Sequence, residues 1–401
     1  MENVPEIRFR GFAGEWELRK LSDMKDVRDG THDSPEYFQE GHPLVTSKNL
    51  TESGLDMTDV SLISNKDFEA INKRSKVDTG DIIFGMIGTI GNPVIVDRED
   101  FAIKNVALIK DGKQAPNSFL LQLLKSPAFK KYIRLENAGN TQKFLGLGKI
   151  RDYMPYIPIA EEMETIGAFF RTLDTTIILY KRKLDGLKRL KSACFQQMFP
   201  QVGEAVPQLR FATFNGDWQV RKLGDFSSKS GKKNRYDKDY PAYSVSNLLG
   251  LIPQSEQFED SRLDDLDKAA YKIVEPNEFA YNPARINVGS IAFNDLDKRV
   301  IISSLYVIVK MDSQIDNEFI LQYIKSPEFT KEVRRNTEGS VREYLFYENF
   351  SNILFPFAPI VEEQTAIGNF FRNLDNAINT QAEKLEQVKR LKSAYLQKMF
   401  V

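Results

Sequence analysis

The chain has 401 residues, 41% apolar and 28% charged, and its 55 Lys and Arg stand against 56 Asp and Glu for a net charge of −1. This balance excludes a disordered chain, the single cysteine excludes a disulfide scaffold, and the length predicts two or three domains at about 100–200 residues each. No run reaches the ~18 apolar residues of a membrane span, and MENVPEIRFRG at the start lacks a signal-peptide core. A cytoplasmic location without membrane association is therefore expected.

The first segment, VPEIRFRGFAGEWELRKLSD from Val4, returns as VPQLRFATFNGDWQVRKLGD from Val206. Such self-similarity marks a duplicated architecture. Strand-like runs follow near Ile82, Pro93 and Val106, and in the second half near Phe279, Ile291, Val300 and Tyr306. A helix is expected from Asn117. Ser126-Pro127, echoed by Ser326-Pro327, reads as an N-cap followed by a proline in the first turn. Further breaks fall at Ala138-Gly139-Asn140 and Glu338-Gly339-Ser340. Each half thus predicts a mixed α/β module with a small twisted sheet.

The tail of each half repeats more closely: EEMETIGAFFRTLD at Glu161 returns at Glu362 as EEQTAIGNFFRNLD, and LKRLKSACFQQMF at Leu187 returns at Val388 as VKRLKSAYLQKMF. Apolar residues recur here at alternating spacings of four and three. They are Ile166, Phe170, Leu173, Ile177, Leu184 and Leu187 in the first copy, and Ile367, Phe371, Leu374, Ile378, Leu385 and Val388 in the second, with Gln381 and Lys392 as polar interruptions. Heptad spacing predicts two helices of ~37 residues, each roughly 55 Å long, that bury these stripes against each other. Packing of each helix on its own module is the alternative. The division expected is a module over 1–158, a helix over 159–200, a second module over 201–359 and a second helix over 360–401.

Reactive constellations are scarce. His32 and His42 lie in a Gly- and Pro-containing segment without the spacing of a metal pair, and read as solvated loop residues, so no metal site is expected. There is no G-x-x-x-x-G-K-[ST] loop, and the glycines of Gly80–Gly91 read as strand kinks and turns. Tyr281-Asn282-Pro283-Ala284 is a poor match to the Asn-Pro-aromatic motif of amino-methyltransferases, because Arg285 and Ile286 follow where an aromatic would stack on an extruded base. Asp264-Asp265 and Glu362-Glu363 read as surface carboxylates, the latter complementing a helix N-terminus.

What remains is a set of hydrogen-bond donors on glycine-marked segments. In the first half these are Lys48, Asn49, Lys73, Arg74, Asn140, Thr141, Gln142, Lys143 and Lys149. In the second they are Lys232, Lys233, Arg235, Ser246, Asn247, Arg285, Asn287, Ser340 and Arg342. Asn, Gln, Arg and Lys can read base edges, while Ser, Thr and Lys hold phosphates, and these residues recur at corresponding places in both halves. With a net charge near zero, DNA binding would rest on segregated charge or on partners.

The Trp16-x-x-x-Lys20-Leu21 opening, the Glu-Glu-x-x-x-Ile-Gly-x-Phe-Phe-x-x-Leu-Asp helix start and the LKRLKSACFQQMF ending, each present twice and in order, resemble the specificity subunit of type I restriction-modification enzymes over the whole chain. The resemblance implies an α/β (α+β) fold with two pseudo-symmetric target recognition domains separated by an antiparallel two-helix coiled coil. It further implies a double-stranded DNA target read in two parts, and a spacer whose length fixes the unread gap between them. Two methyltransferase subunits and the restriction subunits are the implied partners. No cofactor is expected in this chain; S-adenosylmethionine, ATP and Mg are expected on the partners, with catalysis there. In family terms the Asn140–Lys143 and Ser340–Arg342 segments match a loop that often faces DNA. The competing reading is a coiled-coil scaffold that binds only proteins.

Overall fold

The strand-forming runs are apolar at consecutive positions, the pattern of strands buried on both faces, and the structure bears this out twice. The computed structural model describes all residues except 1–2, 53, 89, 113, 138–143, 202, 237, 248, 258–267 and 338–343. The chain forms two compact units, residues 1–182 with 382–401, and residues 183–381. These units are cut differently from the four consecutive segments expected from sequence, because each takes in part of both long helices.

In the first unit a four-stranded antiparallel sheet is ordered β1 (Val27–Asp29), β4 (Val106–Ile109), β2 (Ile82–Gly85), β3 (Gly91–Ile95). Side chains alternate across its faces. Ile82, Phe84, Ala107 and Ile109 enter one core with Phe119, Phe129 and Phe170, whereas Ile83, Val106 and Leu108 enter another with Val45, Phe101 and Ile103. The second core lies under a small sheet in which His42–Val45 pairs antiparallel with Ser61–Ile63 and parallel with Ala102–Ile103.

The second unit repeats the plan: β5 (Ser227–Ser230), β8 (Val307–Met311), β6 (Glu278–Tyr281) and β7 (Ile291–Phe293) form a sheet in the same spatial order. Phe279, Tyr281, Val307 and Val309 face the helical core, and Ala280, Ala292 and Ile308 face Tyr243, Val245 and Val274.

The helix pair expected after the sheet strands is present in each unit, α2 (Asn117–Lys125) with α3 (Pro127–Glu136), and α5 (Asn317–Ile324) with α6 (Pro327–Thr337); the first unit also carries α1 (Asn65–Ser75), and α4 (Ala160–Met198) and α7 (Val361–Lys398) are the long helices. Ser126 and Ser326 cap the breaks, their Oγ atoms accepting from the amides of Phe129 at 3.4 Å and Phe329 at 3.1 Å.

Contacts within each unit set the direction of the long helices. In the first unit Phe169, early in α4, meets Tyr395, late in α7, with ring centroids 5.0 Å apart, and Lys392 Nζ donates to Asp174 at 2.5 Å. In the second, Phe195 late in α4 lies 6.0 Å from Phe371 early in α7, and Lys191 Nζ donates to Asp375 at 2.6 Å. The helices are therefore antiparallel, and the polar interruption at Lys392 is an interhelical ion pair with a counterpart at Lys191.

Both packing alternatives hold at once. Ile166, Phe170, Ile367 and Phe371 belong to the cores of the α/β modules, where helix and module share them. Leu374, Leu184 and Leu385 are buried, while Leu173, Ile177, Leu187, Ile378 and Val388 are half-buried.

The echoed motifs are the docking hardware of these helices. Glu162 and Glu363 are 0% exposed, which corrects the surface reading of Glu362-Glu363 at its second residue. Arg8 Nε and Nη2 donate to Glu162 at 2.7 and 2.6 Å, and Arg210 Nε and Nη2 donate to Glu363 at 2.7 and 2.8 Å. The Ile-Gly pair explains itself by proximity. A Cβ on Gly368 would lie 2.8 Å from the Phe319 amide nitrogen and 3.0 Å from Asp316 Oδ1 at the start of α5. Gly368→Ala is therefore expected to cost about 1–3 kcal/mol by overpacking, read as a lower urea midpoint.

Candidate nucleic-acid interface

The β6–β7 connection in the second unit is built by local hydrogen bonds. Asn282 Oδ1 accepts from the Ala284 amide at 3.0 Å, the Arg285 amide donates to Asn282 O at 3.0 Å, and the Ser290 amide donates to Arg285 O at 3.1 Å. Gly289, at φ 89°, takes the left-handed turn a β-carbon disfavours, and buried Ile286 pins the loop from below. Arg285 is left exposed, and its guanidinium has no hydrogen-bond or ion-pair partner among the described residues.

Beside this loop lies the Ser246-Asn247 turn, tied to it by Asn247 Nδ2 donating to Val288 O at 2.9 Å. Ser244, Ser246, Asn247, Asn282, Arg285 and Ser290 line one cavity of about 290 Å³, together with Val245 and Tyr306. The structure thus brings together three residues singled out from sequence, Ser246, Asn247 and Arg285, with Asn287 in the same loop. It adds Asn282, read from sequence only as part of a poor methyltransferase-motif match, and Ser244 and Ser290, which are not among the candidate donors. For Ser244 the legible trace is alternation along Tyr243–Ser246: Tyr243 and Val245 go to the core, so Ser244 and Ser246 turn to the other face.

Lys232, Lys233 and Arg235 are exposed and carry no ion pair among the described residues. Lys272 Nζ donates to Tyr306 O at 2.6 Å; burial first, then the charges of Lys229 and Lys233, push its ammonium below the ordinary lysine range. Tyr281 is fully buried and stacks on Phe350 at 5.3 Å, so it cannot clamp a base. Next to the loop, where the Leu345 amide donates to Pro283 O at 3.0 Å, Tyr344 and Phe346 are exposed and stacked at 5.9 Å.

The first unit places its predicted donors differently. Asn49 is 3% exposed; its Oδ1 accepts from the Thr46 amide at 3.0 Å and its Nδ2 donates to Asp59 O at 2.9 Å, so the amide holds a turn together. Lys48 pairs with Asp59 at 3.2 Å and Lys149 with Glu136 at 2.6 Å, while Arg74 is bonded to buried Asp29. Lys73 is exposed with no partner among the described residues. In the connection after β2, exposed Ile87 pairs with exposed Phe144, and the Leu145 amide donates to Met86 O at 2.9 Å. Asn140, Thr141, Gln142, Lys143, Ser340 and Arg342 lie outside the described residues, as do Asp264 and Asp265.

The histidines are more engaged than solvated loop residues. His32 spans Asn105 Oδ1 at 2.7 Å and Asp29 Oδ2 at 3.0 Å, and these two hydrogen bonds raise its proton affinity above the ordinary imidazole value; His42 stacks on Phe68 at 3.9 Å. Among the described residues no group of three or more His, Cys, Asp or Glu could hold a metal ion, and no helix is long and apolar enough to cross a membrane.

Comparison with known proteins agrees with the duplicated frame. A type I restriction enzyme MjaVIII specificity subunit from Methanocaldococcus jannaschii is 19% identical over 98% of this chain and 93% of its own length, and a chain named as the MjaX specificity subunit of the same organism is 21% identical over 98% and 94%. The crystal structure of a type I restriction-modification S subunit from M. genitalium superposes with a TM-score of 0.62 at 14% identity over 99% of both chains. A structure described in connection with complex assembly and conformational transition of the type I R-M system gives 0.52 at 15% identity over 95% and 96%. Residues 13–189 and 215–390 each match the type I restriction modification DNA specificity domain, and the chain belongs to that family.

Proposed function

We propose that this chain is the DNA-recognition subunit of a type I restriction-modification complex and reads a split target, each α/β module taking one part. The observation that carries this is one frame used twice with unlike contents. At the same place, the connections after β2 and after β6, one unit presents Ile87 and the other presents Arg285, Asn282 and Ser290. A duplicated docking platform for one protein would have no need of two chemistries; two different half-sites require them. A protein-only scaffold is correspondingly disfavoured by membership in a DNA-specificity family.

The modules supply address and the partners supply chemistry. Two methyltransferase subunits would bring S-adenosylmethionine, and restriction subunits would bring ATP and Mg, while sharing the neutralisation of phosphates that a chain of net charge −1 would otherwise leave to segregated basic residues. Within each module, a good bidentate contact to a base contributes about 1–3 kcal/mol of discrimination. Selection of bound duplexes from a random library by the chain assembled with methyltransferase subunits tests the reading. Two short motifs separated by a fixed unread gap are expected; one continuous motif, or no enrichment, would defeat it.

A further inference from the structure

The cavity beside Arg285 has a composition that selects its ligand. Ser244 and Ser290 are 5% and 4% exposed, and neither hydroxyl has a hydrogen-bond partner among the described residues. Both hydroxyls reach the open cavity, so each is free to donate to a partner that enters it. Asn282 Nδ2 and the Arg285 guanidinium are likewise without partners among the described residues. Among the described residues no carboxylate lines the space.

We propose that this cavity seats one backbone phosphate of the DNA, with Arg285 as its charged donor and Ser244, Ser290 and Asn282 as neutral donors, so that it fixes the register of the second unit on the duplex. This rests on the DNA-recognition reading above. Three physical arguments favour a phosphate over a base. Base edges are recessed in a groove and are met by convex elements, whereas phosphates stand on the ridges of the duplex and fit a concavity. Donors with no acidic neighbour among the described lining residues complement an oxyanion, and a planar guanidinium binds two of its oxygens at once. An extruded base would need aromatic or apolar planes on both sides, whereas among the described lining residues Tyr306 is the one aromatic and Val245, the one aliphatic residue, belongs to the core beneath.

The test uses the full chain assembled with methyltransferase subunits and a duplex carrying its selected target. Binding is measured by anisotropy across a KCl series for wild type, Arg285→Ala and the Ser244→Ala/Ser290→Ala double variant. Arg285→Ala is expected to weaken binding about tenfold or more at fixed salt, and to reduce the slope of log affinity against log salt by about one, while the selected motif stays the same. A neutral methylphosphonate at one position of the second half-site should reproduce the loss in wild type and cost Arg285→Ala nothing further. The serine variant should weaken binding with the salt slope kept. A relaxed base preference at unchanged slope would make Arg285 a base reader and overturn the proposal. So would a 2-aminopurine signal of base extrusion that disappears in the variants. A wild-type assembly that binds no duplex would overturn the DNA reading itself, and the proposal with it.

Discussion

Arg210→Ala is expected to lower the stability of the second unit by about 3–5 kcal/mol, the cost of stranding a buried carboxylate. Glu363 is fully buried, and both of its oxygens are held by the Nε and Nη2 atoms of Arg210. The same guanidinium donates from Nη1 to Gly216 O at 2.7 Å and from Nη2 to Asn215 O at 3.0 Å, tying the segment before Trp218 to the first turn of α7. Alanine removes all four bonds and leaves the charge behind. The pair itself need not be a net stabiliser, since desolvating two charges offsets much of their attraction. The single and double variants therefore separate two ideas. If the penalty comes from the orphaned carboxylate, Arg210→Met with Glu363→Leu recovers most of the loss in urea unfolding. A double variant no better than the single one would locate the penalty in the lost Gly216 and Asn215 contacts. Arg8 and Glu162 repeat the arrangement in the first unit, with Arg8 Nη1 donating to Gly14 O at 2.6 Å, and the same pair of variants there should behave alike.

The parts of the fold legible in the sequence are those that local physics writes locally. A serine followed by proline can cap a helix wherever it occurs, and a heptad stripe states its period without reference to a partner. The chain-order reading accordingly anticipates the caps at Ser126 and Ser326 and the long helices. Roles that depend on distant backbone groups were not legible. Asn49 and Asn247 occupy matching places in the two halves, yet one amide is committed to carbonyls of its own turn and the other bridges to the β6–β7 loop. Glu363 carries the letter of a helix-start carboxylate, and only the arrival of Arg210 from far along the chain makes it a buried anchor. Ser244 and Ser290 look like any strand-associated serines until the fold brings them onto one cavity. A repeat also hides its own exchange. Each copy of the tail reads as belonging to the module before it, but the far end of each helix is built into the other unit's core.

That exchange makes an expected result opposite to sequence proximity. Phe400→Ala should loosen the sheet of the first unit, and Phe199→Ala the sheet of the second, each by about 3–5 kcal/mol for a buried ring. Phe400 lies two residues from the last residue named in α7, yet its ring sits 5.6 Å from Phe119, 6.0 Å from Phe170 and 6.4 Å from Trp16, all in the core that holds Phe84 and Ala107. Phe199 is 5.4 Å from Phe319 and 5.8 Å from Trp218, in the core that holds Phe279 and Val309. Amide hydrogen exchange reads the two sheets separately. Phe400→Ala should speed exchange in β2 and β4 and leave β6 and β8 protected, with the reverse for Phe199→Ala. If instead Phe400→Ala affects only the last turns of α7, the ring is a frayed end and not a core residue. On the DNA reading, the same substitution at the C-terminus would impair recognition by the N-terminal module first, because a cavity under β2 and β4 relaxes the strands from which its Ile87 and Phe144 surface is hung.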